Sequence, residues 1–286
     1  MESIELAYFV YPACDGNCAH CWSKGMLLGS YKRVEWHEKL INSLSKNNYL
    51  YKEIKLSGGE PFLNKDIGKI AEMIRQKLVD DKPIVMLTSG RPFVSRKTGM
   101  HGVLETKNNL KKMIYNFENI SIQMSIDEYH LAVLKNKGYN DIQSYIKNFI
   151  YACEEIAMEE RKFLGPQLKI HCEMGRKKYH REQIFAWFPT EWWGKYTILT
   201  EGLVRSGNAR NLRHSFELKP GNWANYFLLP GVDFYEKPLS EKAEKFYDEQ
   251  NNRIVYMDNS DDTSIIIADW WNLISKKAIF YRVKNN

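Results

Sequence analysis

Residues 11–25 read YPACDGNCAHCWSKG and place Cys14, Cys18 and Cys21, three of the five cysteines in the chain, within eight residues. The cluster follows an apolar run, IELAYFV at 4–10, which is too short to cross a bilayer and alternates as a strand does. Three thiols at C-x3-C-x2-C spacing on one loop can hold three corners of an iron–sulfur cube and leave the fourth iron open. Zinc is the rival, with four closed ligands and His20 as a candidate. His20 is adjacent to Cys21, and neighbouring side chains diverge, which makes the two a poor pair on one ion. The spacing favours the cluster over zinc without excluding zinc.

The rest of the chain sets the context. Its 286 residues suffice for a large core without staples, and 44% hydrophobic with 27% charged is ordinary globular composition. The net charge of +6 is mild and the charges alternate in sign, so no basic stripe marks a nucleic-acid surface. The opening MESIELAYFVYPAC lacks a basic signal region. A cytoplasmic, membrane-free protein with reduced thiols is therefore expected, and an odd cysteine count argues for metal or redox chemistry over disulfides.

Strands are expected at 4–10, 53–57, 83–89, 120–127, 168–174 and 196–201, each short, apolar or β-branched and bounded by turn residues. Amphipathic stretches lie between them. In VEWHEKLINSLSKN, Trp36, Leu40, Ile41 and Leu44 fall at helical spacing; in DIGKIAEMIRQKLVDD, Ile67, Ile70, Ile74 and Leu78 do, after a candidate cap at Asp66. Six βα units in a row predict a parallel sheet with helices outside it. Beyond about residue 210 the rhythm changes. Residues 219–252 read as loops around a short helix, and three strand-like runs follow, which makes 211–286 a small C-terminal extension.

A second motif follows the second strand: KLSGGEPFL, with Ser57, Gly58, Gly59, Glu60 and Pro61 in a row. Paired glycines allow close backbone approach to a ligand, although a plain βα turn also uses Gly and Pro. Taken together, C-x3-C-x2-C after strand one and GGEP after strand two resemble the radical S-adenosylmethionine (radical SAM) enzymes.

The resemblance, which covers about residues 4–210, implies a partial (βα)6 TIM-like barrel with a small C-terminal α+β extension. It implies a [4Fe–4S] cluster on Cys14, Cys18 and Cys21, with SAM chelating the open iron. Electrons would come from a flavodoxin- or ferredoxin-type donor, and cleavage of SAM would give a 5′-deoxyadenosyl radical that takes hydrogen from a substrate carbon. Carried over residue by residue, Ser57, Gly58, Gly59 and Glu60 match the segment that holds the methionine amino group. Thr88 and Ser89 resemble family residues near the cofactor, and Trp22 occupies the aromatic position beside the adenine. Ser125 and Asp127 match polar contacts at the end of strand four. The arginine that many relatives carry some ten residues further on is absent; the spot reads LKNKG, so Lys135 or Lys137 would have to meet the SAM carboxylate. Residues 203–210, LVRSGNAR, look like the segment that frames the adenine.

Alternation along the strands adds an interior lining. Ile122, Met124 and Ile126 must meet helices, which turns Ser121, Gln123, Ser125 and Asp127 inward. In LKIHCEM the same reading turns Lys169, His171 and Glu173 inward, and His171 and Glu173 become candidates for substrate contact or proton handling. A polar lining implies a ligand cavity, since a barrel filled for stability carries aliphatics there. No cysteine follows Cys172, so auxiliary clusters and sulfur insertion are disfavoured. The expected substrate is a peptide, with a sugar, nucleoside or lipid as the alternative; RNA modification and non-catalytic zinc binding are more distant.

Overall fold

A computed structural model describes residues 4–19, 21, 29–46, 51–78, 82–91, 108, 111, 120–125, 128–138, 141–159, 168–174, 197–202, 225–268 and 275–283. All six expected barrel strands are there: β1 Ile4–Tyr11, β2 Tyr51–Gly58, β3 Ile84–Thr88, β4 Ile120–Ser125, β5 Leu168–Met174 and β6 Thr197–Gly202. They pair in parallel in the order β1-β2-β3-β4-β5-β6, and β6 ends the row among the described strands. The described α-helices are α1 Val34–Ser45, α2 Ile67–Leu78, α3 Glu128–Asn136 and α4 Ile142–Glu159, and a 3-10 turn spans Pro61–Leu63. The result is a mixed α/β protein built on a parallel sheet, as the pattern predicts.

Alternation decides the two faces. Leu6, Tyr8, Val10, Ile54, Leu56, Ile84, Met86, Ile122 and Met124 are all buried and share one core with helix residues Leu40, Ile41, Ile70, Ile74, Ile146, Phe149 and Ile150. On the other face Ser121, Gln123 and Ser125 are only half-buried. The register keeps that face continuous, for Leu87 sits beside Gln123 and Gln123 beside Lys169.

One local finding differs from expectation. On α1, His37 rather than Trp36 takes the fully buried position, with Trp36 half-buried beside it. His37 Nδ1 lies 2.6 Å from the Tyr8 hydroxyl; burial keeps that phenol protonated, so it donates. His37 Nε2 is buried near the Lys32 carbonyl without closing a hydrogen bond, and burial pushes the imidazole down to about 4. At α2, the Asp66 carbonyl accepts the Ile70 N–H to start the helix, and the Asp66 carboxylate pairs with Lys69 at 3.7 Å.

The larger correction lies in the C-terminal part. Residues read as loops around a short helix form β7 Asn225–Tyr235 and β8 Glu244–Asp248. Two of the runs expected as separate strands merge into one long strand, β9 Arg253–Ala268, followed by β10 Lys277–Val283. Pro230 and Gly231 inside β7 are what misled the sequence reading. Gly231 adopts φ +72° and the register shifts there, so the pair bends a continuing strand instead of ending it. β7 adds in parallel to the free side of β1, Glu5 beside Asn225 through Tyr8 beside Leu228. A second core of Phe227, Leu229, Val232, Phe246, Val255, Met257, Ile266 and Phe280 fills the extension and includes Phe9 from β1.

Candidate functional site

Ligand sites of parallel α/β sheets gather at the carboxyl ends of the strands, because the connecting loops start there. Here the loop after β1 carries the cysteines, and it is stitched to the turn after β2. The Gly59 N–H donates to the Tyr11 carbonyl at 2.7 Å, and the Glu60 N–H to the Ala13 carbonyl at 2.9 Å. Buried Asn64 adds a third tie through its Nδ2, 3.1 Å from the Val10 carbonyl. Both glycines are required by this approach. A Cβ on Gly58, which sits at φ +126°, would lie 2.3 Å from the Tyr11 oxygen, and one on Gly59 2.0 Å from the Ala13 oxygen.

Glu60 is the centre of the turn and is 1% exposed. Its carboxylate accepts from Thr88 Oγ1 at 2.7 Å, from the Ser89 N–H at 2.9 Å, from Ser89 Oγ at 2.5 Å and from the Phe62 N–H at 3.4 Å. Buried Ser57 closes β2 just before it. The Tyr145 hydroxyl of α4 then donates to the Ser89 carbonyl at 2.7 Å. Four donors on one buried carboxylate make a satisfied network that locks the ends of β2 and β3 together. Thr88 and Ser89, assigned near the cofactor by resemblance, thus have a structural partner.

The cysteine loop is organised differently. Cys14 is exposed, Cys18 buried and Cys21 half-buried, with the Cys21 N–H donating to the Cys18 carbonyl at 3.2 Å. Among the described residues no three His, Cys, Asp or Glu side chains are grouped closely enough to hold a metal ion. Gathering three thiolates without a cation between them is electrostatically unfavourable, so metal uptake and closure of such a loop are one event. The donor chemistry fits an iron–sulfur cluster: three thiols on one loop and, beside the first, a buried guanidinium with an unused donor.

That guanidinium belongs to Arg91, which sequence reasoning missed. Its Nε donates to Asp15 Oδ1 at 2.9 Å and its Nη2 to Cys14 Sγ at 3.3 Å, while Nη1 is buried without a partner. The only sequence signal was a cation directly after the polar end of β3, in TSGR. Lys137, just past α3, donates to Asp15 Oδ2 and to the Asp15 carbonyl, both at 2.6 Å. Burial raises the Asp15 carboxyl, but Lys137 and Arg91 outweigh it and leave the group below the usual range. Packing around the Cys14 sulfur pushes its thiol up, with Arg91 pulling the other way.

The remaining candidates divide clearly. Gln123 and Ser125 sit half-buried on β4. His171 is the backbone register partner of Ser125, and Glu173 of Glu201, so the expected row is assembled at the backbone level. The side chains of His171, Glu173 and Cys172, together with Trp22, His20, Asp127 and residues 203–210, lie outside the described residues. Cys153 is fully buried in α4 and burial pushes its thiol up, which suits an inert core cysteine. No described helix is long and apolar enough to cross a membrane.

Among solved structures, the chain is similar to Streptococcus suis SuiB bound to S-adenosylmethionine, with 12% identity and a TM-score of 0.48 over 76% of this chain and 44% of that one. It is similar to anSMEcpe with bound AdoMet and Kp18Cys peptide at 14% identity and 0.47, over 74% of this chain and 55% of that one. BtrN in complex with AdoMet and 2-DOIA matches at 13% identity and 0.33, over 70% and 57%. The chain thus spans about half the length of these solved structures. No curated protein matches it. The family model described as the Radical SAM superfamily matches residues 8–156, from within β1 through most of α4, and so takes in the cysteine loop, the Gly-Gly-Glu turn and Arg91. The protein is a member of the radical SAM superfamily, whose cofactors are a [4Fe–4S] cluster and S-adenosylmethionine.

Proposed function

We propose that the chain is a single-cluster radical SAM enzyme that removes a hydrogen atom from a carbon of a peptide substrate. Residues 1–210 form the catalytic unit and 211–286 the extension. Cys14, Cys18 and Cys21 hold the cluster, and bound there with SAM it supplies one-electron cleavage of the sulfonium and a hydrogen-abstracting species.

The chain's own contribution is positional. Because the Gly59 and Glu60 N–H groups are spent on Tyr11 and Ala13, the turn offers a cationic amino group its carbonyls. Glu60 acts by holding that turn rigid through Thr88 and Ser89. Lys137 closes the cysteine loop through Asp15. Gln123, Ser125 and Asp127 serve the cofactor from β4, Trp22 packs beside its adenine, and His171 and Glu173 meet the substrate.

The observation that carries this reading is the stitch between the two motifs, which ties the cysteine loop to the Gly-Gly-Glu turn through Tyr11 and Ala13. The peptide assignment is supported by the layout, a parallel sheet that carries the two motifs followed by a C-terminal extension, which resembles that of peptide-modifying members of the family. A small-molecule substrate on the polar face of β4 is the second reading, favoured by the half-buried Gln123 and Ser125.

Anaerobic reconstitution tests the core of the proposal. It should give a brown protein with about four irons per chain, and with reductant and SAM it should release 5′-deoxyadenosine. Cys18→Ala should lose both. A colourless zinc protein, or 5′-deoxyadenosine release that survives in Cys18→Ala, would overturn it. Deuterium transfer into 5′-deoxyadenosine from a labelled peptide, set against labelled sugars and nucleosides, separates the two substrate readings.

A further inference from the structure

Arg91 stands outside every motif that identifies the family, yet it is the described cation most deeply set beside the cysteine loop. Its side chain is 4% exposed. A guanidinium removed from water needs a counter-charge and acceptors for its five N–H groups. Asp15 supplies the counter-charge: both Nε and Nη2 lie 2.9 Å from its Oδ1. Nη2 also reaches Cys14 Sγ at 3.3 Å, and Gly16 makes room for it, since a Cβ there would fall 2.9 Å from Nη2. Nη1 remains buried with no acceptor.

Two features stand out in this arrangement. First, the guanidinium is fixed by a fork on Asp15, and Asp15 is itself held by Lys137, so the charge cannot drift from the sulfur. Second, Nη1, which carries two of the five N–H groups, is buried with no acceptor among the described residues. Buried unpaired N–H groups cost stability, and sulfur acceptors of a cluster next to Cys14 would answer that demand. A cluster gains a negative charge when reduced. A positive charge and N–H···S bonds at a ligand sulfur therefore favour the reduced form. Glu60, also within electrostatic reach of Arg91, has its carboxylate occupied by Thr88 and Ser89.

We propose that Arg91 is a positioning residue for the cluster: it holds the Cys14 sulfur and raises the cluster's reduction potential. The proposal rests on Cys14 being a cluster ligand, and the experiment separates the two. Full-length protein is reconstituted anaerobically as wild type, Arg91→Gln, Arg91→Lys and Asp15→Asn. Iron is counted, and the midpoint potential is read by an EPR-monitored redox titration without substrate.

Arg91→Gln should lower the equilibrium constant for reduction at least about tenfold, a 59 mV downward shift for a one-electron couple. Arg91→Lys, which keeps the charge but loses the fork, should shift less in the same direction. Asp15→Asn, which removes the negative charge facing Arg91, should shift upward. If Arg91→Gln fails to take up iron, the opposite signs of Arg91→Lys and Asp15→Asn decide. Iron-replete Arg91 variants with a wild-type potential would overturn the proposal, as would Asp15→Asn and Arg91→Lys moving in the same direction. A wild-type protein that binds no iron would instead remove the cluster assignment, and the proposal with it.

Discussion

The Gly-Gly-Glu turn and the cysteine loop face each other across a seam of two backbone hydrogen bonds, yet they are built on opposite terms. In the turn, each carboxylate oxygen of Glu60 is satisfied by the protein itself. In the loop, no three candidate ligands among the described residues are grouped closely enough for a metal ion, and a buried Nη1 of Arg91 has no acceptor among them. One half of the site is closed by the chain itself; in the proposed function the other half is closed by the cluster. This division is physically sensible, since a polar network can be closed by the chain alone, whereas gathered thiolates need a cation.

The largest expected effect tests the half that the chain closes itself. Glu60→Ala removes the acceptor of four donors and should destabilise the metal-free protein by about 3 kcal/mol or more. Cys14→Ala removes only a sulfur acceptor for Arg91 and the Gly16 N–H and should cost less, about 1 kcal/mol. Denaturant melts of the two apo-variants check this, and equal losses would break the comparison.

Acid should sharpen it next, at the exit of the cysteine loop. His37 on α1 titrates near 4 when folded and near 6.5 when unfolded. Below pH 6.5 the unfolded chain takes the proton first. Stability is therefore full above that pH and falls as pH drops toward 4, by about 3 kcal/mol at about 1.4 kcal/mol per decade. In His37→Gln the extra slope between pH 6.5 and 4 in urea-melt stabilities should vanish; an unchanged slope would remove His37 as its source.

The seam itself is probed by glycine. Gly59→Ala forces a Cβ to within 2.0 Å of the Ala13 carbonyl and should cost about 2 to 3 kcal/mol. Gly138, which unlike Gly59 sits at positive φ, has nothing within 4 Å of a Cβ, so Gly138→Ala carries backbone strain alone, about 1 kcal/mol. Thermal melts that rank the two the other way would show that the close approach of turn and loop is not needed for stability.

Much of this was legible in the sequence where pattern and physics coincide. Strands β1 to β6 were readable because each is a short apolar run between turn residues, and the inner and outer faces of β4 because period two leaves no other choice for Ile122 and Met124. The two motifs were readable because their order along the chain is itself information. Arg91 and Asp15 were not, because their meaning lies in a contact across 76 positions of sequence that no local rule reports. Lys137 stood out by its charge, but its pairing with Asp15 did not, because that contact spans 122 positions of sequence. β7 was missed because Pro and Gly signal a break, and only the register with β1 and β9 shows that the strand runs through it.

The pairing of β1 with β7 has a consequence for how the protein is made. Glu5 meets Glu53 on one side and Asn225 on the other, so β1 leaves the ribosome about 220 positions ahead of one of its two neighbours. At ordinary synthesis speeds of about 5–20 residues per second, one flank of β1 waits for about 10–40 s with its peptide groups bare. The cysteines lie just after that waiting strand. The loop that carries Cys14 and Cys18 is thus anchored on a strand whose second flank is closed only when β7 has been made.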